Sequence, residues 1–224
     1  MPGKLWSGMN SLEYQFITIE GNIGAGKTSL ATRLAKELNA ELVLEAFSDN
    51  PFLPKFYEDP ERHAFPLELY FLAERYQQIR KHIQGPNLFP TRTVTDYVFY
   101  KSLIFASVTL PEAEGDLYKR LFHIINPTLP QPEVIIYLHN PVDRLIENIK
   151  KRGRDYEQSI PAEYLEKVQH RYMEFFKSQK HSSILVVDAE PLDFVEREED
   201  YQRIKDLLYQ KYPKGLHYVS LTND

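Results

Sequence analysis

The chain has no cysteine among its 224 residues, which excludes disulfides, thiol nucleophiles and cysteine-ligated metals and allows a reducing compartment. It has no apolar run of membrane-spanning length, and its first residues, Met1 to Gly8, lack the apolar core of a signal peptide, so a cytoplasmic protein without a membrane partner is expected. There is no excess of positive charge either. The formal net charge of −5 speaks against nonspecific duplex binding, which rests on clustered Lys and Arg, and no nucleic-acid partner is expected. No internal repeat or low-complexity tract is present. The length suits one α/β domain, read as residues 15–224 behind a flexible N-terminal arm at 1–14.

Residues Gly21, Asn22, Ile23, Gly24, Ala25, Gly26, Lys27 and Thr28 form a complete G-x-x-x-x-G-K-[ST] phosphate loop. The strand-like Phe16-Ile17-Thr18-Ile19 precedes it and a helical run from Ser29 to Leu38 follows. In such a loop backbone N–H groups turn onto the phosphates, the lysine reaches the β/γ-phosphates and the Thr28 hydroxyl ligates Mg²⁺. Short β-branched runs at Tyr14–Glu20, Glu41–Leu44, Thr93–Thr95, Val134–Leu138 and Ile184–Val187 alternate with helical stretches at Thr28–Leu38, Phe65–Ile83, Val98–Ser107, Glu112–Ile125, Pro141–Lys151, Pro161–Lys180 and Phe194–Tyr212. That alternation predicts a parallel sheet covered on both faces.

Ligands of such sheets bind beyond the carboxyl ends of the strands. Glu45 follows the second run, where a carboxylate can accept the proton of a hydroxyl attacking the γ-phosphate; a solvated strand-end Glu is the ordinary alternative. Asp96 follows the third and can hold Mg²⁺ through water, or cap the next helix. Asp188, after the fifth, is a rival for the metal role. Arg152 and Arg154 sit in a dense basic run that closes a helix, suited either to the helix dipole or to a mobile arginine lid over a transferring phosphoryl group.

Several separated blocks together resemble the deoxynucleoside kinases of the deoxyadenosine, deoxyguanosine and deoxycytidine kinase family: Ile19–Thr28, Asn50–Leu53, Phe56–Arg62, Leu69–Arg75, Ile104–Ser107 and Arg152–Lys167. The resemblance implies a three-layer phosphate-loop kinase fold with a five-stranded parallel sheet flanked by helices, and a homodimer built by helix packing. It also implies an enzyme that transfers the γ-phosphate of ATP, with Mg²⁺, to a deoxynucleoside 5′-hydroxyl in nucleotide salvage. Carried across, Glu45 is the catalytic base, with Lys27, Arg152 and Arg154 neutralising the phosphoryl group. Tyr57 and Glu157 bond the sugar 3′-hydroxyl, Phe105 stacks on the base, Arg75 lines the base pocket, and Asp96 completes the acceptor side as well as the metal site.

Two departures from the family pattern stand out. Glu68 occupies the place of a Gln that bonds the base edge; an ionised Glu only accepts, which suits guanine or thymine and slightly favours a purine acceptor. Tyr97 follows Asp96 where relatives carry Arg, and Lys101 stands near the place of an acidic base-reading residue, so Glu68 and Lys101 are expected to form a re-polarised base-reading pair. A nucleoside monophosphate kinase would need a second arginine cluster for phosphate. A non-catalytic nucleotide-binding member is favoured by Tyr97 but opposed by the retained Lys27, Thr28, Glu45, Arg152 and Glu157. No Asn-Lys-x-Asp motif supports a GTPase.

Overall fold

In the computed structural model, which describes residues 12–46, 50–83 and 92–221, near-continuous apolar runs become strands buried on both faces, as parallel sheets require. The strands are β1 (Phe16–Gly21), β2 (Glu41–Val43), β3 (Thr93–Thr95), β4 (Val134–His139), β5 (Ser183–Asp188) and β6 (Gly215–Val219). They form one parallel sheet in the order β2-β3-β1-β4-β5-β6. The helices are α1 (Lys27–Glu37), α2 (Leu53–Glu58), α3 (Pro60–Ile83), α4 (Lys101–Thr109), α5 (Glu112–Ile125), α6 (Val142–Arg152), α7 (Ala162–Ser178) and α8 (Glu198–Asp206). β1 lies between β3 and β4, so the chain leaves it at the point where strand order reverses, and the phosphate loop opens into the resulting crevice.

The sheet has six strands rather than the expected five. β6 adds in parallel to β5, with Gly215 to Val219 opposite Ser183 to Val187. Its sequence hides it: Gly-Leu-His-Tyr-Val is short and mixed, and only partly buried at the sheet edge, so no apolar run announces it. Helix ends moved too. α3 begins at Pro60 and runs through Pro66 instead of starting at Phe65; Pro60 at the first helical position was the overlooked start signal. α2 precedes it where no helix was expected. The stretch expected to be helical from Phe194 to Tyr212 yields only α8 and one 3₁₀ turn, and Glu198, Glu199 and Asp200 mark the true start by placing negative charge at the helix N-terminus.

Of the expected arm, residues 1–11 lie outside the described residues. Residues 12–14 lie within the described residues. Tyr14 is buried; its hydroxyl donates to the Gln210 carbonyl at 3.0 Å and accepts the Tyr212 N–H at 3.0 Å.

Candidate active site

The phosphate loop is built by contacts from three directions. Asn22 Nδ2 donates to the Leu165 carbonyl of α7 at 2.8 Å while its Oδ1 accepts the Ile23 N–H at 2.9 Å. Asn148 Nδ2 of α6 donates to the Gly24 carbonyl at 2.9 Å. Gly24 and Gly26 have φ of 84° and 85°, a region costly for residues with a Cβ. A Cβ at Gly24 would also meet the Leu145 carbonyl oxygen at 2.7 Å, and one at Gly26 the Phe194 ring at 2.8 Å. The sequence rule thus has a local steric basis. Lys27 Nζ donates to the Asn22 carbonyl at 2.9 Å, and burial together with the nearby Lys101 charge lowers its pKa to about 8.

Beside the loop lies a cleft of about 750 Å³, counting its open mouth. All ten residues expected to act on the phosphoryl group or acceptor line it: Lys27, Glu45, Tyr57, Glu68, Arg75, Asp96, Phe105, Arg152, Arg154 and Glu157. Lys27, Thr28, Arg152 and Arg154 also line a second cleft under the loop, with Asn140, Arg144 and the segment Leu192 to Glu196, so the two hollows meet at these four side chains.

At the junction, Thr28 Oγ1 donates to Asp96 Oδ2 at 2.6 Å, and Asp96 Oδ1 accepts the Glu45 N–H at 2.7 Å. A hydroxyl and a carboxylate are hard oxygen donors, and the pair fits a Mg²⁺ that keeps waters and phosphate oxygens as its other ligands. Asp188 is exposed and lines a separate hollow with His139 and Tyr218.

Glu45 is held by two cations. Its Oε1 accepts Arg75 Nε at 2.8 Å and a second Arg75 nitrogen at 2.6 Å, and its Oε2 accepts Lys101 Nζ at 2.5 Å. Arg75 is 2% and Lys101 6% exposed. Burial opposes ionisation of Glu45, but Lys101 and Arg75 outweigh it and hold the carboxyl at about 2. Lys101, expected to read the base together with Glu68, is instead bonded to Glu45. Lys101 sits on Glu45, and the Arg75 fork is spent on Glu45 and on Ser102 Oγ, at 2.7 Å. Lys101 Nζ also lies 5.4 Å from the centre of the Phe105 ring. Glu157, 6% exposed, is ion-paired to both Arg152 and Arg154. Tyr57 stacks on Tyr156 with ring centres 6.1 Å apart, and burial, then the Glu157 charge, push its hydroxyl pKa up.

Sequence reading missed Glu20. It is fully buried at the end of β1, accepting the Gly21 and Val98 N–H groups at 3.0 and 2.9 Å and the Tyr172 hydroxyl at 2.9 Å, and burial raises its pKa. It ties β1, the turn before α4 and α7 together directly behind the loop. A charge inside an apolar strand run was the available signal, since such groups stay buried only when fully bonded.

A family model described as deoxynucleoside kinase matches residues 17–212. A deoxyguanosine kinase of Bacillus subtilis (strain 168) is 37% identical over 193 residues, covering 84% of this chain and 93% of the relative. A deoxyadenosine kinase of Dictyostelium discoideum is 34% identical over 206 residues, covering 92% and 83%. Among solved structures, deoxyadenosine kinase from M. mycoides with bound dATP superposes with a TM-score of 0.73 at 26% identity, covering 87% of this chain and 98% of that one.

Proposed function

Because the chain belongs to the deoxynucleoside kinase family, we propose that it transfers the γ-phosphoryl group of ATP to the 5′-hydroxyl of a deoxynucleoside, purine deoxynucleosides being favoured. The observation that carries this reading is the shared boundary of the two clefts. The Glu45 carboxylate and the phosphate-loop Lys27 line one pocket, whose wall also carries Phe56, Phe71 and Phe105, an apolar lining that a phosphate site alone does not need. In this mechanism Glu45 accepts a hydrogen bond from the 5′-hydroxyl and takes its proton as the new O–P bond forms and the bond to the ADP oxygen breaks. Lys27, Arg152 and Arg154 neutralise the oxygens of the moving group. Thr28 and Asp96 would hold Mg²⁺, which when bound supplies further charge neutralisation. Tyr57 and Glu157 engage the sugar, and Phe105 gives the base a stacking face.

A coupled assay with deoxyguanosine, deoxyadenosine, deoxycytidine and thymidine tests the reading, with the two purines expected to show the highest kcat/KM. Absence of turnover on all four would shift weight to a non-catalytic nucleotide-binding protein.

The same reading includes cytoplasmic location, where ATP and free deoxynucleosides meet, and a homodimer. Support for the dimer comes from α5. It buries Tyr118 and Phe122 on one face yet leaves Leu117 and Ile124, two turns apart, 48% and 71% exposed, a row suited to packing on its own copy. Replacing both by Asp is expected to halve the mass measured by sedimentation while leaving the far-UV circular dichroism unchanged. An undiminished dimer would move the interface elsewhere.

A further inference from the structure

Glu68 is 2% exposed and lines the acceptor cleft from α3. Its Oε1 lies 3.0 Å from the Thr109 hydroxyl, while its buried Oε2 has no hydrogen-bond partner among the described residues. A buried carboxylate oxygen left unpaired costs free energy unless a ligand completes it. Arg75, which grips Glu45 at the reacting end, follows Glu68 by seven residues on the same helix. Seven residues rise about 10 Å, about the length of a nucleoside, and Glu45 and Glu68 line the same cleft, so the spacing along α3 suits an acceptor with its 5′-oxygen toward Glu45 and its base toward Glu68.

We propose that Glu68 Oε2 reads the ring nitrogen at the base edge and that its proton chooses the base. Deprotonated, it accepts the N1–H of guanine; protonated, it donates to the bare N1 of adenine. This rests on the deoxynucleoside acceptor proposed above.

The surroundings allow both forms. Facing Glu68 are Arg75 from its own helix, Lys101 of α4, Glu45 beyond β2, and Tyr57, Tyr118 and Tyr164 from α2, α5 and α7. Both strong cations are bound to Glu45, so neither locks Glu68 in the charged state. Burial pushes its carboxyl up to about 7, against the pull of Arg75 and of the Thr109 hydroxyl. Thr109 has one proton and two acceptors at 3.0 Å, Glu68 Oε1 and the Phe105 carbonyl. Donation to Oε1 leaves Oε2 as the atom that gains or loses the proton.

The test is the ratio of kcat/KM for deoxyguanosine to that for deoxyadenosine from about pH 6 to about pH 8.5, because the ratio cancels every titration shared by both reactions. Leaving a buried edge mismatched costs a large factor, so the ratio is expected to rise about tenfold or more, with its midpoint near neutrality. It should be flat in Glu68→Gln, whose amide does not titrate, and the midpoint should move to higher pH in Thr109→Val, which keeps the carboxyl but loses a bond to its charged form. A flat ratio in the wild type, or the same slope in Glu68→Gln, overturns the proposal. Calorimetric binding of the two nucleosides over the same range separates the two readings. Turnover with flat ratios sinks base choice by Glu68 alone, whereas titrating affinities without turnover sink the kinase reading alone.

Discussion

Glu45→Gln is expected to lower kcat by about 10²- to 10⁴-fold, the range associated with a positioned general base, with little change in KM for the deoxynucleoside. Two cations grip this carboxylate and make it a poor base in the free protein. That is tolerable if phosphoryl transfer runs through a loose transition state, in which the attacking hydroxyl needs aiming more than early deprotonation. A second effect accompanies the first. The Gln side chain takes from Arg75 and Lys101, both nearly inaccessible, the carboxylate they are bonded to, and breaking one partner out of a buried pair costs about 3–5 kcal/mol. Lower stability alone would also lower activity in an assay. Glu45→Gln/Lys101→Met separates the two: removing one stranded cation should restore much of the melting temperature and none of kcat. Recovery of kcat in the double variant would reduce Glu45 to a structural anchor.

The parts of the site legible in the sequence were those whose chemistry is local. The phosphate loop is eight consecutive residues whose glycines answer to specific neighbours, Gly24 to Leu145 and Gly26 to Phe194, and Glu45 and Asp96 could be found because each follows a strand. Which groups pair across the cleft was not local. Lys101 is one helical turn before Phe105, and nothing in its own segment says whether it meets Glu45, just beyond β2, or Glu68, on α3; α3 packs against both α4 and β2, and Lys101 lands on Glu45. The same packing answers the residue that looked missing at Tyr97. Tyr97 is buried with its hydroxyl donating to Gln78 Oε1 at 2.9 Å, and the cation on Glu45 is supplied by Lys101, four residues later. β6 escaped for the opposite reason: an edge strand needs only half its residues buried, so its sequence carries half the signal.

Lys27→Met is expected to abolish measurable turnover, or lower kcat/KM for ATP by at least about 10²- to 10³-fold, the loss seen when one preorganised donor to a developing charge is removed. Here, unlike at Glu45, stability should hold. The loop does not depend on Lys27 for its shape, because Asn22 is fixed to Leu165 and Asn148 to Gly24 and the two glycine conformations are set by packing. Among the described residues Lys27 donates to the Asn22 carbonyl, and burial and Lys101 disfavour its charge more than the nearby Glu20, Glu45 and Asp96 favour it. Replacing it with an uncharged side chain of similar length removes that unfavourable term together with one hydrogen bond, so the melting temperature without nucleotide should stay level or rise. The pair of variants therefore divides the cleft physically. On the proposed reading Glu45 is a group the fold needs as much as the reaction does, while Lys27 is a charge the fold carries at a cost for a phosphate that arrives later. A Lys27→Met protein that melts well below the wild type would assign the lysine to the loop's architecture, and one that keeps its turnover would remove it from the mechanism.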